Sequence, residues 1–263
     1  MNNSRISTLL GLHHDFLLGM FCSDRHVTPL GHLVLSDLIT DPYYNFFCPE
    51  GDFDSSSLGS ISEKLYSRDR QPALYLTPLS SVGRGEIAEF SQHACDSWML
   101  RETRLRESAN DATGIEMESV IGEMREEFLS AFSSAYSSDD AVDLYGPLDE
   151  SYIHALSRSF DVTSPKYEKF YLLARAGGRA VGVVVLMVTG TYAAVYALGT
   201  VADARRQGVG SALMNECSRI AFEAGAKFLF LQVEAGSGAE KWYQKLGYRH
   251  EFYGTCYASS APQ

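Results

Sequence analysis

The stretch that decides the fold reads TVADARRQGVGSAL, from Thr200 to Leu213. It follows an apolar run and precedes an amphipathic segment, so it predicts a loop between a buried strand and a helix. Arg205, Gly208 and Gly210 give it the spacing R-x-x-G-x-G. Glycines there let backbone N–H groups approach a bulky anion, and the free N–H groups of a helix beginning at Ser211 would point to the same place. The loop is therefore predicted to bind a pyrophosphate.

Two common pyrophosphate-binding motifs do not fit this stretch. The dinucleotide fingerprint G-x-G-x-x-G requires a third glycine at the position that Leu213 occupies. The P-loop motif G-x-x-x-x-G-K-[ST] occurs nowhere in the sequence. The ligand of the loop is therefore expected to be a pyrophosphate of another kind.

Outward from the loop, the hydrophobic periodicity predicts alternating strands and helices. The expected order from Ile115 to Cys256 is β-α-α-β-β-β-α-β-α-β, with a two-residue hairpin turn at Gly177-Gly178. The helix Ser211–Ala224 lies between the strands Tyr192–Val201 and Lys227–Val233, which predicts a parallel pair with a right-handed crossover. The other elements are Ile115–Ile121, Arg125–Tyr136, Asp149–Phe160, Phe170–Ala176, Arg179–Val188, Gly238–Leu246 and Tyr248–Cys256.

The N-terminal region has weaker patterns. Residues 103–114, with the polar run Ser108–Gly114, are typical of a linker, so we expect one domain at 1–107 and another at 112–258. The elements predicted in the first region are the helices Leu9–Met20 and Leu58–Arg68 and the strands Ala73–Thr77 and Ser97–Leu100.

One segment is long enough to cross a bilayer as a helix, because Ala180–Val201 is uncharged for 22 residues. Its β-branched and aromatic composition, with Thr189-Gly190 in the middle, instead predicts two buried strands joined by a turn. The start of the chain, MNNSRIS, lacks the basic stretch and apolar core of a signal peptide. We therefore expect a cytoplasmic protein that does not enter the membrane.

The charge balance is acidic, with 33 acids, 22 bases and a formal net charge of −11. It lacks the basic footprint typical of nucleic-acid binding and favours a cationic partner. The five cysteines are isolated and form no CxxC pair, so neither a zinc site nor a disulfide framework is expected. His13-His14 has no third ligand at a suitable spacing, and no metal site is predicted.

The glycine loop resembles the acetyl-CoA loop of the GNAT (general N-acetyltransferase) superfamily, whose pattern is [QR]-x-x-G-x-[GA]. Arg205, Gly208 and Gly210 match it, although Ala202 stands where many members have proline. A second stretch, AEKWYQKLGY at residues 239–248, resembles the family signature A-x-x-[LF]-Y-x-x-x-G-F. Tyr243 falls on the tyrosine of that signature, and Tyr248 replaces its usual phenylalanine. The resemblance covers residues 112–258.

The resemblance implies an α+β GNAT fold for 112–258, a mixed central sheet flanked by helices. Some family members pair a full domain with a degenerate second half, and one interpretation is that the α/β region 1–107 is such a half. It contains no [QR]-x-x-G-x-[GA] pattern, so it is not expected to bind CoA. Its expected role is to close an acceptor cleft or to form an intermolecular contact.

The implied cosubstrate is acetyl-CoA, and the implied reaction is acetylation of a primary amine on a small molecule or peptide. The resemblance places the acetyl group beside Leu198, Gly199 and Thr200. The residues expected to bind the cosubstrate are Leu198, Gly199, Thr200, Arg205, Arg206, Gln207, Gly208, Val209, Gly210 and Ser211.

Direct attack of an amine on the thioester needs an oxyanion donor, an acid and a route for the amine proton. A backbone N–H near the end of strand Tyr192–Val201 is the expected oxyanion donor. Tyr243 is the candidate acid for the leaving thiolate, since a phenol pKa of about 10 lies near a thiol pKa of about 8.5. Glu234 is the candidate base, with Asp203 or water as alternatives.

The family resemblance implies that the acceptor passes between the first two helices, and here that connection reads SSDDAVDLYGPLDE. Asp139, Asp140, Asp143, Asp149 and Glu150 make this connection acidic, which suits a cationic amine or simply a solvated loop. Two other functions remain open: an acyl-CoA-binding sensor without catalysis, and transfer of a longer acyl chain with Ala197 and Gly199 leaving room for it. The sequence leaves the oligomeric state undecided.

Overall fold

The structure is a computed structural model that describes residues 3–53, 55–83, 85, 87–103, 114–137 and 148–259. The predicted linker from Thr103 to Gly114 lies, except for its two end residues, outside the described residues. The same holds for Asp139, Asp140, Asp143 and Tyr145 of the acidic connection.

The described part of the chain forms helices and strands in the following order. The helices are α1 (Asn3–Leu18), α2 (Ser55–Tyr66), α3 (Met124–Tyr136), α4 (Glu150–Ser159), α5 (Val209–Glu223) and α6 (Gly238–Lys245). The strands are β1 (Asp24–Thr28), β2 (Gly31–Leu35), β3 (Phe46–Pro49), β4 (Gly51–Phe53), β5 (Ala73–Leu76), β6 (Ser80–Val82), β7 (Phe90–Glu102), β8 (Ile115–Ser119), β9 (Glu168–Ala176), β10 (Arg179–Thr189), β11 (Tyr192–Thr200), β12 (Phe228–Glu234) and β13 (Arg249–Ser259).

The chain divides into two compact units, which are not two consecutive stretches of sequence. The first unit comprises residues 1–98, 232–241 and 250–263, and the second comprises 99–231 and 242–249. The end of β12 and nearly all of β13 thus belong with the N-terminal region. The two domains expected from the sequence, 1–107 and 112–258, remain a prediction.

The first unit has the strand order β1-β2-β3-β5-β13-β7. Strands β3 and β5 run parallel, with Phe47 opposite Leu74 and helix α2 between them in the chain. Ile61 and Leu65 of α2 are buried in one cluster with Phe47 and Leu74, so the apolar face of the helix covers this part of the sheet. The first unit therefore contains a helical crossover between two parallel strands.

A close approach of two strands requires glycine at position 254 in this unit. Tyr75 on β5 and Cys256 on β13 are partners in the antiparallel ladder. A Cβ atom added to Gly254 would lie 2.2 Å from the Tyr75 hydroxyl oxygen, far inside contact distance. Trp98 stacks on Phe252 of the same strand at 4.8 Å between ring centroids. Because Gly254 has no side chain, the Tyr75 hydroxyl can occupy the space beside it.

The second unit has the strand order β12-β11-β10-β9-β8. Strands β8 to β11 are antiparallel neighbours, whereas β11 and β12 are parallel, with Tyr192 opposite Phe228. The parallel pair joined by helix α5 confirms the crossover expected from the sequence. Gly177 and Gly178 form the hairpin turn between β9 and β10 with φ of 57° and 78°, as that turn requires.

Helices α3 and α5 cover opposite faces of this sheet. A Cβ atom on Gly182 would meet Val209 and Leu213 of α5, whereas one on Gly199 would meet Ala135 and Tyr136 of α3. Gly182 is paired with Thr200, the neighbour of Gly199, and adjacent residues of a strand point to opposite faces. Every residue from Val181 to Val188 is buried, as expected for a strand covered on both sides.

The apolar segment Ala180–Val201 forms β10 and β11, which confirms the prediction of two strands. No helix in the described ranges is both long and apolar enough to cross a bilayer. Cys22, Cys48, Cys217 and Cys256 are buried free thiols and Cys95 is partly buried. These thiols pack as small apolar side chains.

Truncating a core side chain in the second unit should destabilise the protein strongly. Phe230 on β12 is fully buried. We expect Phe230→Ala to lower the free energy of unfolding by about 3 to 5 kcal/mol, because it removes buried apolar area and leaves a cavity. The urea dependence of unfolding measures this change. The matched control is Phe222→Ala on α5, whose side chain is 43% exposed and whose loss should cost within about 0.5 kcal/mol; equal costs would contradict the described core.

Candidate active site

Helix α5 begins with backbone N–H groups that no described side chain caps. It starts at Val209, two residues earlier than the sequence predicted, because Gly208 takes the N-cap position with φ of 90°. No side chain of the described residues caps this end, and the first helical hydrogen bond runs from the N–H of Ala212 to the Gly208 carbonyl at 2.9 Å. The N–H groups of Val209, Gly210 and Ser211 therefore have no acceptor within the helix.

The loop before the helix is shaped by two left-handed residues. Arg206 and Gly208 have φ of 62° and 90°. Such residues, separated by one of ordinary conformation, turn successive N–H groups toward one concave side that suits an anion. The side-chain amide of Gln207 donates to the Asp203 carbonyl at 2.7 Å, and the Arg206 side chain is exposed. The donors that this loop presents on its concave side thus come from its backbone.

The Arg205 side chain points into the protein and fixes the loop. Its Nε donates to the Thr200 carbonyl at 3.1 Å, and its Nη2 donates to the Ala135 carbonyl at 2.9 Å. One guanidinium therefore joins the glycine loop, the end of β11 and the end of α3. The planar fork of arginine suits such a three-way contact.

Strand β11 has a bulge that the sequence did not reveal. On β10, Val183 faces Gly199 and Val185 faces Tyr196, so Val184 is opposite two residues, Ala197 and Leu198. Ala197 has φ of 50°, an uncommon value for a residue with a side chain. A bulge of this kind leaves a residue outside the hydrogen-bond ladder. Of the residues predicted beside the acetyl group, Leu198 thereby loses its place in the ladder with β10, whereas Gly199 and Thr200 stay paired.

The two parallel strands stop pairing before this bulge. In the described residues the ladder between β11 and β12 ends at the pair Ala194 and Phe230. The edge of β11 from Val195 to Thr200 is therefore not used by β12. An extended polar molecule could bind along such an edge by backbone hydrogen bonds.

Gly199 is required for the close contact of β11 with α3. A Cβ atom there would lie 2.7 Å from the Ala135 Cβ and 3.0 Å from the Tyr136 ring. The room that the sequence suggested for a longer acyl chain at Gly199 is filled by α3. Tyr136 also donates its hydroxyl to the Leu198 carbonyl at 2.8 Å, which holds the bulge from the side of the helix.

Tyr136 was missed as a site residue in the sequence. It was visible there only as one of several aromatic residues at helical spacing in the predicted helix Arg125–Tyr136. Its role depends on a contact across 62 positions of the chain. No local pattern gives such a contact.

Tyr243, the candidate acid, lies in α6 and is 9% exposed. Its ring packs against Trp242 at 4.7 Å and against the edge of Tyr248 at 5.6 Å. Burial raises the pKa of the Tyr243 phenol well above its ordinary value, and the neighbouring hydroxyls of Tyr136 and Tyr248 add to this. The hydroxyl has no hydrogen-bond partner among the described residues. Tyr243 is therefore neutral and has a proton to donate.

Helix α6 also contacts the start of α5. A Cβ atom on Gly210 would lie 3.4 Å from the Trp242 ring, an ordinary contact distance. The second unit therefore brings together Tyr243, Tyr136 and the predicted cosubstrate residues Leu198, Gly199, Thr200 and Arg205 to Ser211.

The two candidate carboxylates have different surroundings. Asp203 is exposed and forms an ion pair with Arg179 at 2.9 Å. Glu234 ends β12, is partly buried and belongs to the first unit. Its charge acts on the buried Asp96 of that unit, whose pKa is raised to about 6, mainly by burial and further by Glu234.

Two further residues of the predicted acidic connection are described. Asp149 caps α4, as predicted, and accepts a hydrogen bond from the N–H of Ser151 at 2.8 Å, which lowers the pKa of the Asp149 carboxyl. Glu150 is the first residue of that helix and is exposed. In the described ranges, no group of three or more histidine, cysteine or acidic side chains is arranged to hold a metal ion.

Solved structures with the same fold cover nearly the whole chain. A GCN5-related N-acetyltransferase from Kribbella flavida is 18% identical over 91% of this chain and 90% of its own, with a TM-score of 0.64. A conserved protein of unknown function from Staphylococcus epidermidis is 12% identical over 90% and 93%, with a TM-score of 0.68. A tandem GNAT protein of the clavulanic acid biosynthesis pathway is 11% identical over 89% and 80%, with a TM-score of 0.59.

These likenesses confirm the predicted α+β GNAT fold, with its mixed sheet flanked by helices. Because they extend through the N-terminal region, that region is part of the shared fold. The likeness to a tandem GNAT protein agrees with the interpretation of the N-terminal region as a second GNAT half. The parallel crossovers β3-α2-β5 and β11-α5-β12, one in each unit, point the same way.

Comparison of the sequence with curated proteins gives no significant match. The model of the family described as "Acetyltransferase (GNAT) family" matches residues 123–248, which include the glycine loop and the stretch around Tyr243. Residues 123–248 of the chain therefore match a GNAT acetyltransferase domain.

Proposed function

We propose that the chain transfers an acetyl group from acetyl-CoA to a primary amine of a small molecule or peptide. The observation that supports this most directly is the start of α5, which follows the left-handed residues Arg206 and Gly208. Its first three N–H groups have no acceptor within the helix and no cap from a described side chain. These groups and the positive end of the helix dipole suit the pyrophosphate of CoA. The fit requires glycine at position 208, since φ of 90° strains any other residue.

The edge of β11 suits the remainder of the cosubstrate. The pantetheine arm contains two amide groups, which can pair with the backbone of β11 beyond Ala194, where the ladder with β12 ends. This edge leads from the glycine loop at one end of the strand to the bulge at Ala197 and Leu198. The thioester would then lie beside Leu198, Gly199 and Thr200, the positions that the family resemblance implies.

The chemistry requires one new bond, one broken bond and two proton movements. The amine nitrogen attacks the thioester carbon, and a backbone N–H released by the bulge stabilises the developing oxyanion. As the C–S bond breaks, Tyr243 donates its proton to the departing thiolate. The proton lost by the amine goes to Glu234 or to water.

The raised pKa of Tyr243 is compatible with this role. The phenol holds its proton until the thiolate forms, so the acid is fully protonated at neutral pH. The environment that disfavours the phenolate also disfavours a thiolate formed beside it, because both anions are desolvated there. Proton transfer then exchanges one disfavoured anion for another.

Replacing Gly208 should abolish acetyl-CoA binding. In Gly208→Glu a carboxylate occupies the N-cap position and the left-handed backbone is strained, so we expect the Kd for acetyl-CoA to rise at least about 100-fold, or about 2.7 kcal/mol. Isothermal titration calorimetry measures this change.

The matched control is Gly190→Glu. Gly190 also has a positive φ of 48°, but it lies in the turn between β10 and β11, at the opposite end of β11. This variant carries the same charge and a similar strain and should bind acetyl-CoA as the wild type does. Equal losses in both variants, or wild-type binding by Gly208→Glu, would exclude the glycine loop as the pyrophosphate site.

Removing the Tyr243 hydroxyl should slow the chemical step without weakening cosubstrate binding. With an amine first selected by thiol release over a panel, we expect Tyr243→Phe to lower kcat about 100-fold and to leave the Kd for acetyl-CoA unchanged. Steady-state thiol release and calorimetry together measure the two quantities.

The control is Tyr248→Phe in the same unit. The Tyr248 hydroxyl is buried without a hydrogen-bond partner among the described residues, and its ring lies 4.7 Å from the Arg101 guanidinium. Removing it should leave kcat unchanged. A normal kcat in Tyr243→Phe would show that another group protonates the thiolate.

A further inference from the structure

A buried carboxylate in the first unit is held by two phenols. The Tyr43 hydroxyl donates to Asp96 Oδ2 at 2.5 Å, and the Tyr75 hydroxyl donates to the same oxygen at 2.7 Å. The indole N–H of Trp98 donates to the Tyr75 hydroxyl at 2.8 Å. Asp96 is only 7% exposed. The network fixes the carboxylate in one orientation.

The two oxygens of Asp96 are treated differently. Both phenols bond to Oδ2, whereas Oδ1 accepts no hydrogen bond from a described residue. Oδ1 is also not among the buried polar atoms that lack both a partner and solvent access. One oxygen is therefore an anchor, and the other is left free toward a ligand or water.

Among the described residues, no cationic side chain forms an ion pair with Asp96. Burial and, to a smaller extent, the charge of Glu234 raise its pKa, the hydrogen bonds from the two phenols lower it, and the pKa that results is about 6. The N–H of Ala235 donates to the Cys95 carbonyl at 2.9 Å, which places the residues next to Glu234 and Asp96 side by side. Asp96 and Glu234 are therefore neighbours on adjacent strands, and no described cationic side chain pairs with either carboxyl group.

The neighbouring carboxylate of Asp41, in contrast to that of Asp96, has a basic side chain as its partner. Asp41 Oδ1 accepts from the N–H of Tyr43 and lies 2.8 Å from Nε2 of His93, whose pKa this hydrogen bond raises. Asp96 has no such partner, although Tyr43 links the two carboxylates. A buried charge without a counter-ion opposes folding, and its retention suits a ligand that supplies the opposite charge.

We propose that Asp96 and Glu234 bind the ammonium group of a cationic amine, with the hydroxyls of Tyr43 and Tyr75 fixing the Asp96 carboxylate. Carboxylate oxygens accept hydrogen bonds from the N–H groups of an ammonium ion, and the opposite charges strengthen these bonds. Because the free oxygen of Asp96 lies beside a second carboxylate, that of Glu234, the site favours an organic cation over a neutral alcohol of the same shape. This binding site does not rest on the proposed function.

The direct test is calorimetry on the full chain, in EDTA to remove divalent metals. The probes are 1,4-diaminobutane and n-butylamine, with butan-1-ol as the neutral analogue. We expect the amines to bind and the alcohol not to bind. In Asp96→Asn the amine Kd should rise at least about 10-fold, since an amide keeps an oxygen for both phenols but loses the charge.

Two further variants make the comparison specific. Glu234→Gln should also weaken amine binding. Asp52→Asn removes an exposed carboxylate of the same unit and should change nothing. The proposal is overturned if neither amine binds at tens of millimolar, if the alcohol binds equally well, or if Asp96→Asn binds like the wild type.

Thermal unfolding separates a binding role from a purely structural one. The folded-state pKa of Asp96, about 6, lies above its ordinary value of 3.8, so ionisation of Asp96 opposes folding above that range and not below it. We expect Asp96→Asn to have a Tm equal to or higher than that of the wild type at pH 8 and to lose this advantage at pH 4. A lower Tm at both values would make Asp96 a structural residue and overturn the proposal.

Titration of the same variants with acetyl-CoA distinguishes the two proposals of function. Asp96→Asn should bind acetyl-CoA like the wild type while it binds the amines at least about 10-fold more weakly. Amine binding without acetyl-CoA binding by the wild type would overturn the proposed acetyl transfer and leave the ammonium site standing. Loss of both ligands in Asp96→Asn would overturn the assignment of Asp96 to amine binding.

Discussion

The contact of helix α3 with strand β11 at Gly199 is the constraint on which the rest of the second unit depends. With no side chain at 199, Ala135 and Tyr136 reach the strand itself. Tyr136 can then bond to the Leu198 carbonyl, and Arg205 can bond to the Ala135 carbonyl from the other side. The bulge, the end of the helix and the glycine loop are therefore one connected arrangement, and its parts cannot shift independently.

The predicted binding sites of the two units have electrostatic potentials of opposite sign. In the second unit, positive potential comes from backbone N–H groups at the start of α5, while the one nearby arginine of the motif is occupied by carbonyl oxygens. In the first unit, negative potential comes from a carboxylate whose burial is not offset by a described cation. Backbone dipoles give a rigid site for a ligand with fixed phosphate geometry. A fixed carboxylate gives a strong preference for charge and a weaker one for shape.

Much of the second unit could be predicted because its information is local. The hairpin at Gly177-Gly178, the parallel crossover around α5 and the glycine loop all follow from periodicity and from the position of glycines. The start of α5 was misplaced by two residues, since a left-handed Gly208 can be either a loop residue or an N-cap. In the N-terminal region, α1 runs from Asn3 to Leu18, where the sequence predicted Leu9–Met20. The first residues of α1 are mostly polar and show no apolar periodicity, so the sequence did not indicate that the helix begins there.

The features that were not predicted depend on contacts between distant positions. The bulge at Ala197 arises from pairing with β10, and the role of Tyr136 arises from its reach to Leu198. The bonds of Asp96 likewise join residues 21 and 53 positions apart. A hydroxyl or carboxyl group in a sequence carries no sign of which distant partner will orient it.

Gly254 helps to recognise the contact between Tyr75 and Asp96 in the sequences of related proteins. Its missing side chain gives space to the Tyr75 hydroxyl, and any β-carbon there would displace the group that anchors Asp96. Relatives that keep the anchored carboxylate must therefore retain glycine at this position together with the tyrosine and the aspartate. The three positions form a compact sequence marker, which can sort a divergent family into members with and without this buried charge when no structure is at hand.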